Sequence, residues 1–183
     1  SYWFDAGEFV AAAHELTFSH PPGHPLYTLL AHPWTWLPMG PLPFRIALFY
    51  CACWLWAAWC CGRLGQTMAA EIQARKGFRL PPSIASSASL AGFALMPAVW
   101  IQATRPEVYA LHAALALPAM ALVARTLRHP RALHSTGPTL ALLLTLALAN
   151  PHLLALATGV PLGAALLLRW RSLIAGLALV RRQ

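Results

Sequence analysis

The chain has 183 residues, 58% of them hydrophobic and 10% charged, with mean hydropathy +0.56 and formal net charge +8. A soluble domain carries about a quarter charged residues, so this composition excludes an ordinary soluble protein and points to the membrane. The basic residues lie in short clusters between apolar runs, with no stripe interleaved with aromatics, which excludes nucleic acid as the partner.

The sequence opens at Ser1 without a basic n-region or an apolar signal core, and stops at Gln183 after a further short apolar stretch. It is expected to be a fragment lacking its first membrane span. Residues 1–43 form a first unit, an external loop with short interfacial helices. Its stretch DAGEFVAAAHELTFSHPPGHPLY gathers three of the five acidic residues and three of the eight histidines. Asp5 followed by Glu8 predicts a helix running toward Leu16, with Asp5 as its cap and Glu8 reaching back, as in a capping box. A functional role for the pair is equally open. On an ideal helix Asp5, Glu8 and Glu15 share a sector of roughly 80°. Pro21, Pro22, Pro25 and Gly23 then break the chain, and a half-buried helix from Leu26 to Leu37 follows. His20 and His24 flank the PPG turn, but the HExxH spacing of a metalloprotease is missing. His14, His24 and His32 are expected to donate to loop carbonyls.

Residues 44–183 read as a bundle of about five helices. A crossing needs about 20 apolar residues, and the runs 44–64, 84–101 and 108–127 each qualify. The apolar stretch 138–168 is too long for one span. Asn150-Pro151-His152 interrupts it, because proline removes a backbone donor, so helices 138–149 and 152–168 are expected. The four cysteines, Cys51, Cys53, Cys60 and Cys61, fall inside the first run in no metal-binding spacing and read as free thiols. Clusters at Arg75, Lys76 and Arg79, at Arg125, Arg128 and Arg131, and at Arg169 and Arg171 mark every second boundary. The positive-inside rule assigns all three to the cytoplasm. Residues 1–43, the turn ATRPE and the break NPH then share the opposite face, the periplasm or a lumen.

Few charges lie on that outer side: Asp5, Glu8, Glu15, Glu107, Arg45 and Arg105. Glu107 suits a helix N-terminus as well as it suits function, and Tyr109 suits an interfacial belt. Asn150 and His152 are polar at membrane depth and are expected to face a cavity. For His112 a hydrogen bond within the bundle suffices.

FDAGEFVAAAHELTFSHPPGHPLYTLL, LPMGPLPFRIALFYC, WIQATRPEVYALHA and LALANPHLLAL, in that order, resemble the membrane family called domain of unknown function 2723, the transmembrane protein 260-like protein O-mannosyltransferases. Departures from the family pattern fall at His24, at Arg105 and at Pro151, which separates Asn150 from His152. The resemblance implies an all-α polytopic membrane protein of the GT-C glycosyltransferase kind, a helical bundle with juxtamembrane helices in its first external loop. It implies transfer of mannose or another hexose, with inversion, from a polyprenyl-phosphate donor to an acceptor hydroxyl on protein or glycan at the outer face. Asp5 takes the place of the catalytic base, and Glu8 orients it or the sugar. His20, His24, Glu107, Tyr109, Asn150 and His152 line the substrate, and Arg45 and Arg105 meet the lipid phosphate. No metal ligand is assigned: a divalent metal is compatible with the scheme and not required by it. The competing classes are a multi-pass transporter with His112 and His152 along its path, and a non-catalytic scaffold in which Asp5 and Glu8 only cap a helix. Charge deep in a span, as an ion relay needs, is missing.

Overall fold

The structure, a computed structural model, describes residues 5–21, 23–77, 80–103, 107–150 and 152–174, and at residues 75, 76, 152 and 153 the backbone alone. Every regular element among them is helical. Helix α1 (Ala6–Glu15) stops where Leu16 turns left-handed at φ 54, and the Leu16 and Thr17 amides both return to the Ala12 carbonyl. Helix α2 (Pro25–Ala31) starts on a proline whose fixed φ suits a first turn. It continues as a 3-10 stretch, His32–Trp36. The single helix expected over 26–37 is therefore two pieces, since Pro33 has no N–H with which to extend α2.

Helix α3 (Leu42–Lys76) is 35 residues long, about 52 Å at the α-helical rise, well beyond the expected 44–64. Nothing between Leu64 and Lys76 breaks a helix, and it ends only where Gly77 takes φ 67. The run 84–101 is not one straight helix. Pro97 splits it into α4 (Pro82–Leu95) and α5 (Pro97–Ala103), bent by 61°, because a residue before proline is driven out of the helical region, and Met96 sits at ψ 122. Helices α6 (Tyr109–Arg128), α7 (Leu133–Leu148) and α8 (His152–Leu168) complete the bundle. Helix α7 begins ahead of the expected 138, with Pro138 inside it. By length and composition α3 and α6 can cross a membrane, and the bent α4–α5 pair makes a third if it counts as one span. This is an all-α membrane protein, with two to three helices of crossing length among the described residues.

Small residues and interhelical hydrogen bonds hold the bundle together, as they must where lipid competes equally for apolar side chains. A Cβ placed on Gly65 would lie 1.9 Å from Ser89 Oγ, and one on Gly62 would lie 2.9 Å from Ser86 Oγ, so α3 and α4 meet nearly backbone to backbone. Trp56 Nε1 donates to the Ala114 carbonyl at 3.0 Å, joining α3 to α6. His112 Nε2 meets Thr158 Oγ1 at 3.2 Å, joining α6 to α8, and Thr126 meets Thr136 at 2.9 Å between α6 and α7.

One core cluster gathers Phe9 and Val10 of α1, Tyr27 of α2, Ile46, Phe49 and Tyr50 near the start of α3, Val108 and Leu111 at the start of α6, Ala147 at the end of α7, and Ala155 of α8. The first loop, the turn before α6 and the α7–α8 break thus lie at one end of the bundle. At the other end Glu71 pairs with Arg128 at 3.8 Å, beside a cavity of about 220 Å³ that Arg169 also lines.

Candidate active site

Helix α1 is amphipathic at short range. Phe9, Val10 and Ala13 are buried while Asp5 and Glu8 stay exposed, one turn apart on the free side. The chain after α1 folds back over them. Gly23, at φ 76, turns it and donates to the His20 carbonyl at 2.9 Å. His20 lies above α1, its backbone N–H donating to Glu8 Oε1. Its Nδ1 lies 3.2 Å from Glu8 Oε2, and its Nε2 3.8 Å from Asp5 Oδ2.

The geometry corrects the capping box. Asp5 occupies the N-cap position but makes no cap hydrogen bond, and Glu8 turns to His20 instead. The reason is that the His20 amide and ring offer Glu8 two donors, where a capping box offers a single backbone N–H. These contacts, the amide first and then the ring, hold the Glu8 carboxyl below its ordinary range, against a smaller opposing effect of desolvation. With Nδ1–H given to Glu8, the other ring nitrogen, Nε2, is turned toward the Asp5 carboxylate, whose oxygens are acceptors.

Phe9 supports this trio from below. Its ring stands edge-on to His20 with centroids 5.6 Å apart, and packs against His24 at 5.6 Å and Tyr27 at 5.3 Å. Tyr27 is fully buried and donates to the Phe9 carbonyl at 3.0 Å. Burial pushes its phenol far above the ordinary value, which keeps it a neutral donor. Sequence reasoning passed over Phe9 and Tyr27. The signal was their place inside the D-x-G-E-F and H-P-L-Y stretches, beside the residues it did single out.

Of the other expected site residues, His24 lies beside the trio, its ring centroid 6.2 Å from that of His20. His24 is buried behind Phe9, 5% exposed. Arg45 gives Nε to the carbonyls of Met39 and Gly40 and Nη1 to that of Thr35, bracing the loop ahead of α3. Glu107 is half-buried and Tyr109 exposed at the start of α6. Asn150 is wholly buried, its Nδ2 donating to the Val108 carbonyl at 3.3 Å, so one side of its amide ties the α7–α8 break to the start of α6. Arg105 lies outside the described residues, as does the His152 side chain. His32 Nδ1 donates at 2.8 Å to the Ala13 carbonyl, which lies in α1 and not in a loop as expected, and His14 and Glu15 are exposed.

One ligand atom from each of Asp5, Glu8 and His20 lies within 4.8 Å of the others. Two carboxylates and an imidazole are donor types of a divalent-cation site. All three are exposed, and the imidazole already serves Glu8. Glu8 and His20 are thus hydrogen-bonded to each other, while Asp5 stands 3.8 Å from His20 Nε2 with its outer side open.

Comparison with known proteins agrees with the resemblance carried by the motifs. A mouse (Mus musculus) protein O-mannosyl-transferase TMEM260 is 36% identical over 110 residues, which are 59% of this chain and 14% of the mouse protein. No solved structure matches the chain. The family profile of the protein O-mannosyl-transferase TMEM260 N-terminal domain matches residues 5–174, from Asp5 to beyond the end of α8, and the chain belongs to that family.

Proposed function

We propose that this chain carries the acceptor-activating site of a membrane protein mannosyltransferase of the GT-C kind. Asp5 is the general base: its carboxylate takes the proton of an acceptor hydroxyl as the oxygen attacks the anomeric carbon, with inversion and departure of a polyprenyl phosphate. Glu8 fixes the His20 ring beside Asp5, and the ring limits the directions from which a hydroxyl can reach the carboxylate. The leaving phosphate needs fixed positive charge. Arg105 is the candidate, because two of the three guanidinium nitrogens of Arg45 already bind backbone. The site faces the periplasm or a lumen, opposite the arginine-rich end of the bundle. A divalent cation on the trio would supply charge stabilisation, but the proton transfer needs only these residues.

The observation that carries the proposal is the convergence of Asp5, Glu8 and His20 on one exposed platform, in a chain of this family. The test is sugar transfer by the purified full-length protein supplied with polyprenyl-phosphate mannose and an acceptor. Asp5→Asn is expected to lower transfer about 10²–10⁴-fold, the range for a positioned general base, with donor binding unchanged. Transfer at the wild-type rate would exclude Asp5 as the base.

A further inference from the structure

A second site lies some 30 Å along α3 from the platform, taking the rise per residue from Leu42 to Arg63. Between α3, α6 and α7 opens a cavity of about 330 Å³. Its lining combines apolar residues, Trp56, Leu122 and Leu143 among them, with the exposed Arg63 and Arg125. Trp56 and Trp59 stack with centroids 5.1 Å apart, and the Arg63 guanidinium sits 5.9 Å above the Trp59 ring. Both tryptophans are about half exposed on a helix long enough to cross a membrane, so they face lipid.

The two arginines lack acidic partners. All five acidic residues of the chain are described, and no carboxylate lies within ion-pair reach of Arg63 or Arg125 among the described residues. The acid at this end, Glu71, pairs with Arg128. A groove with a hydrocarbon-lined floor and two uncompensated guanidinium groups at membrane-boundary depth complements one chemistry, an amphiphile with an anionic phosphate head. We propose that the α3–α6–α7 groove is a binding site for an anionic glycerophospholipid of the leaflet facing the arginine-rich end. Its acyl chain lies along Trp56 and Leu143, and its phosphate lies between Arg63 and Arg125. The site is separate from the platform, so it stands whether or not Asp5 is a base.

The test is lipid retention by native mass spectrometry. The full-length protein is delipidated in detergent and titrated with phosphatidylglycerol or phosphatidylcholine. Each arginine near an anionic surface is worth roughly fivefold, so Arg63→Gln with Arg125→Gln is expected to lower phosphatidylglycerol affinity about 30-fold. Phosphatidylcholine binding and the exposed control Arg131→Gln are expected to stay unchanged. Thr139→Trp, at an exposed position on the groove wall, narrows the groove with both arginines in place and is expected to displace the lipid too. Equal retention of both lipids by the wild type, full phosphatidylglycerol binding in the double variant or in Thr139→Trp, or an equal loss in Arg131→Gln would each overturn the proposal. So would displacement of phosphatidylglycerol by an equimolar polyprenyl phosphate, which would make the groove a donor-lipid site.

Discussion

Asn150 decides whether the break between α7 and α8 is a strut or the wall of a cavity. Its side chain is fully buried, with Nδ2 on the Val108 carbonyl at 3.3 Å and Oδ1 without a hydrogen-bond partner among the described residues. The Val108 carbonyl also accepts the His112 amide at 3.0 Å, so it is not orphaned when Asn150 is shortened. Asn150→Ala then loses one long neutral hydrogen bond, about 0.5–1 kcal/mol. It also leaves a void of ~25 Å³, worth about 0.6 kcal/mol. Against this, an unpaired buried oxygen is removed, which returns about 1 kcal/mol. The net change is expected within about 1 kcal/mol of zero.

Asn150→Asp keeps the shape but places a carboxylate against a carbonyl oxygen, with no cation beside it among the described residues. An unpaired buried charge costs several kcal/mol. Burial raises the pKa of the introduced carboxyl in the folded state, so the penalty grows as pH rises above the unfolded value near ~4 and shrinks on acidification. Thermal unfolding in detergent should therefore show Asn150→Ala close to wild type at about pH 8 and about pH 5, with Asn150→Asp much less stable at the higher pH and partly restored at the lower. An Asp variant as stable as the Ala variant at the higher pH would refute the reasoning. It would mean that Oδ1 faces water or a cation, as a cavity-lining role requires.

Gly65→Ala should destabilise by about 1–3 kcal/mol from overpacking, because the new Cβ meets the Ser89 side chain and stands 3.0 Å from the Ala85 carbonyl. That outweighs the roughly 1 kcal/mol gained in helix propensity, and pairing it with Ser89→Gly should recover most of the loss in the same unfolding assay. Leu16→Gly should stabilise by roughly 1 kcal/mol, since Leu16 holds φ 54 with its side chain 51% exposed; a lower midpoint would show that its packing matters more than its backbone. The Glu8 carboxyl lies below its ordinary value of 4.5 because the His20 amide and ring bind the charged form. The Glu8–His20 bond therefore contributes fully above that pH and is lost as pH falls through the lower folded value. The His20 amide NMR shift should follow that titration in wild type and stay flat in Glu8→Gln.

The sequence carried the elements whose cause is local and hid those whose cause is a distant partner. The end of α1 near Leu16, the span α6 and the helix α8 follow from apolar runs bounded by Gly, Pro and Asn. The length of α3 was misjudged because its last turns are polar, and hydropathy measures the membrane rather than the helix. The split at Pro97 was legible, since proline predicts it, but an unbroken apolar run masked it. Asp5, Glu8 and His20 were each singled out from composition and motif order. Their convergence was not, because it depends on the chain reversing after the left-handed Leu16 to bring residue 20 back over residue 8. The bracing role of Arg45 was hidden for the same reason: three backbone carbonyls leave no mark on a sequence.

That dependence on the return of the loop also explains how an exposed site can hold its shape at the end of a bundle. The platform is tied to the spans by a short chain of bonds. Tyr27 holds α1 by the Phe9 carbonyl, the Leu26 amide holds the α7–α8 break by the Ala149 carbonyl at 3.2 Å, and Asn150 holds the start of α6 by the Val108 carbonyl. The first, second and third links join successive segments that the sequence separates by up to a hundred residues or more, yet all three lie beside the one core cluster. A carboxylate on a mobile loop would meet an acceptor in many poses; here the loop is fixed at its base by buried partners while Asp5 stays open to solvent, the combination that a positioned base needs. Cutting the middle link without touching any acid, by Leu26→Pro, removes the amide that reaches Ala149. On the proposed role of Asp5, it should therefore lower the rate of sugar transfer while leaving the pH profile of the residual activity unchanged.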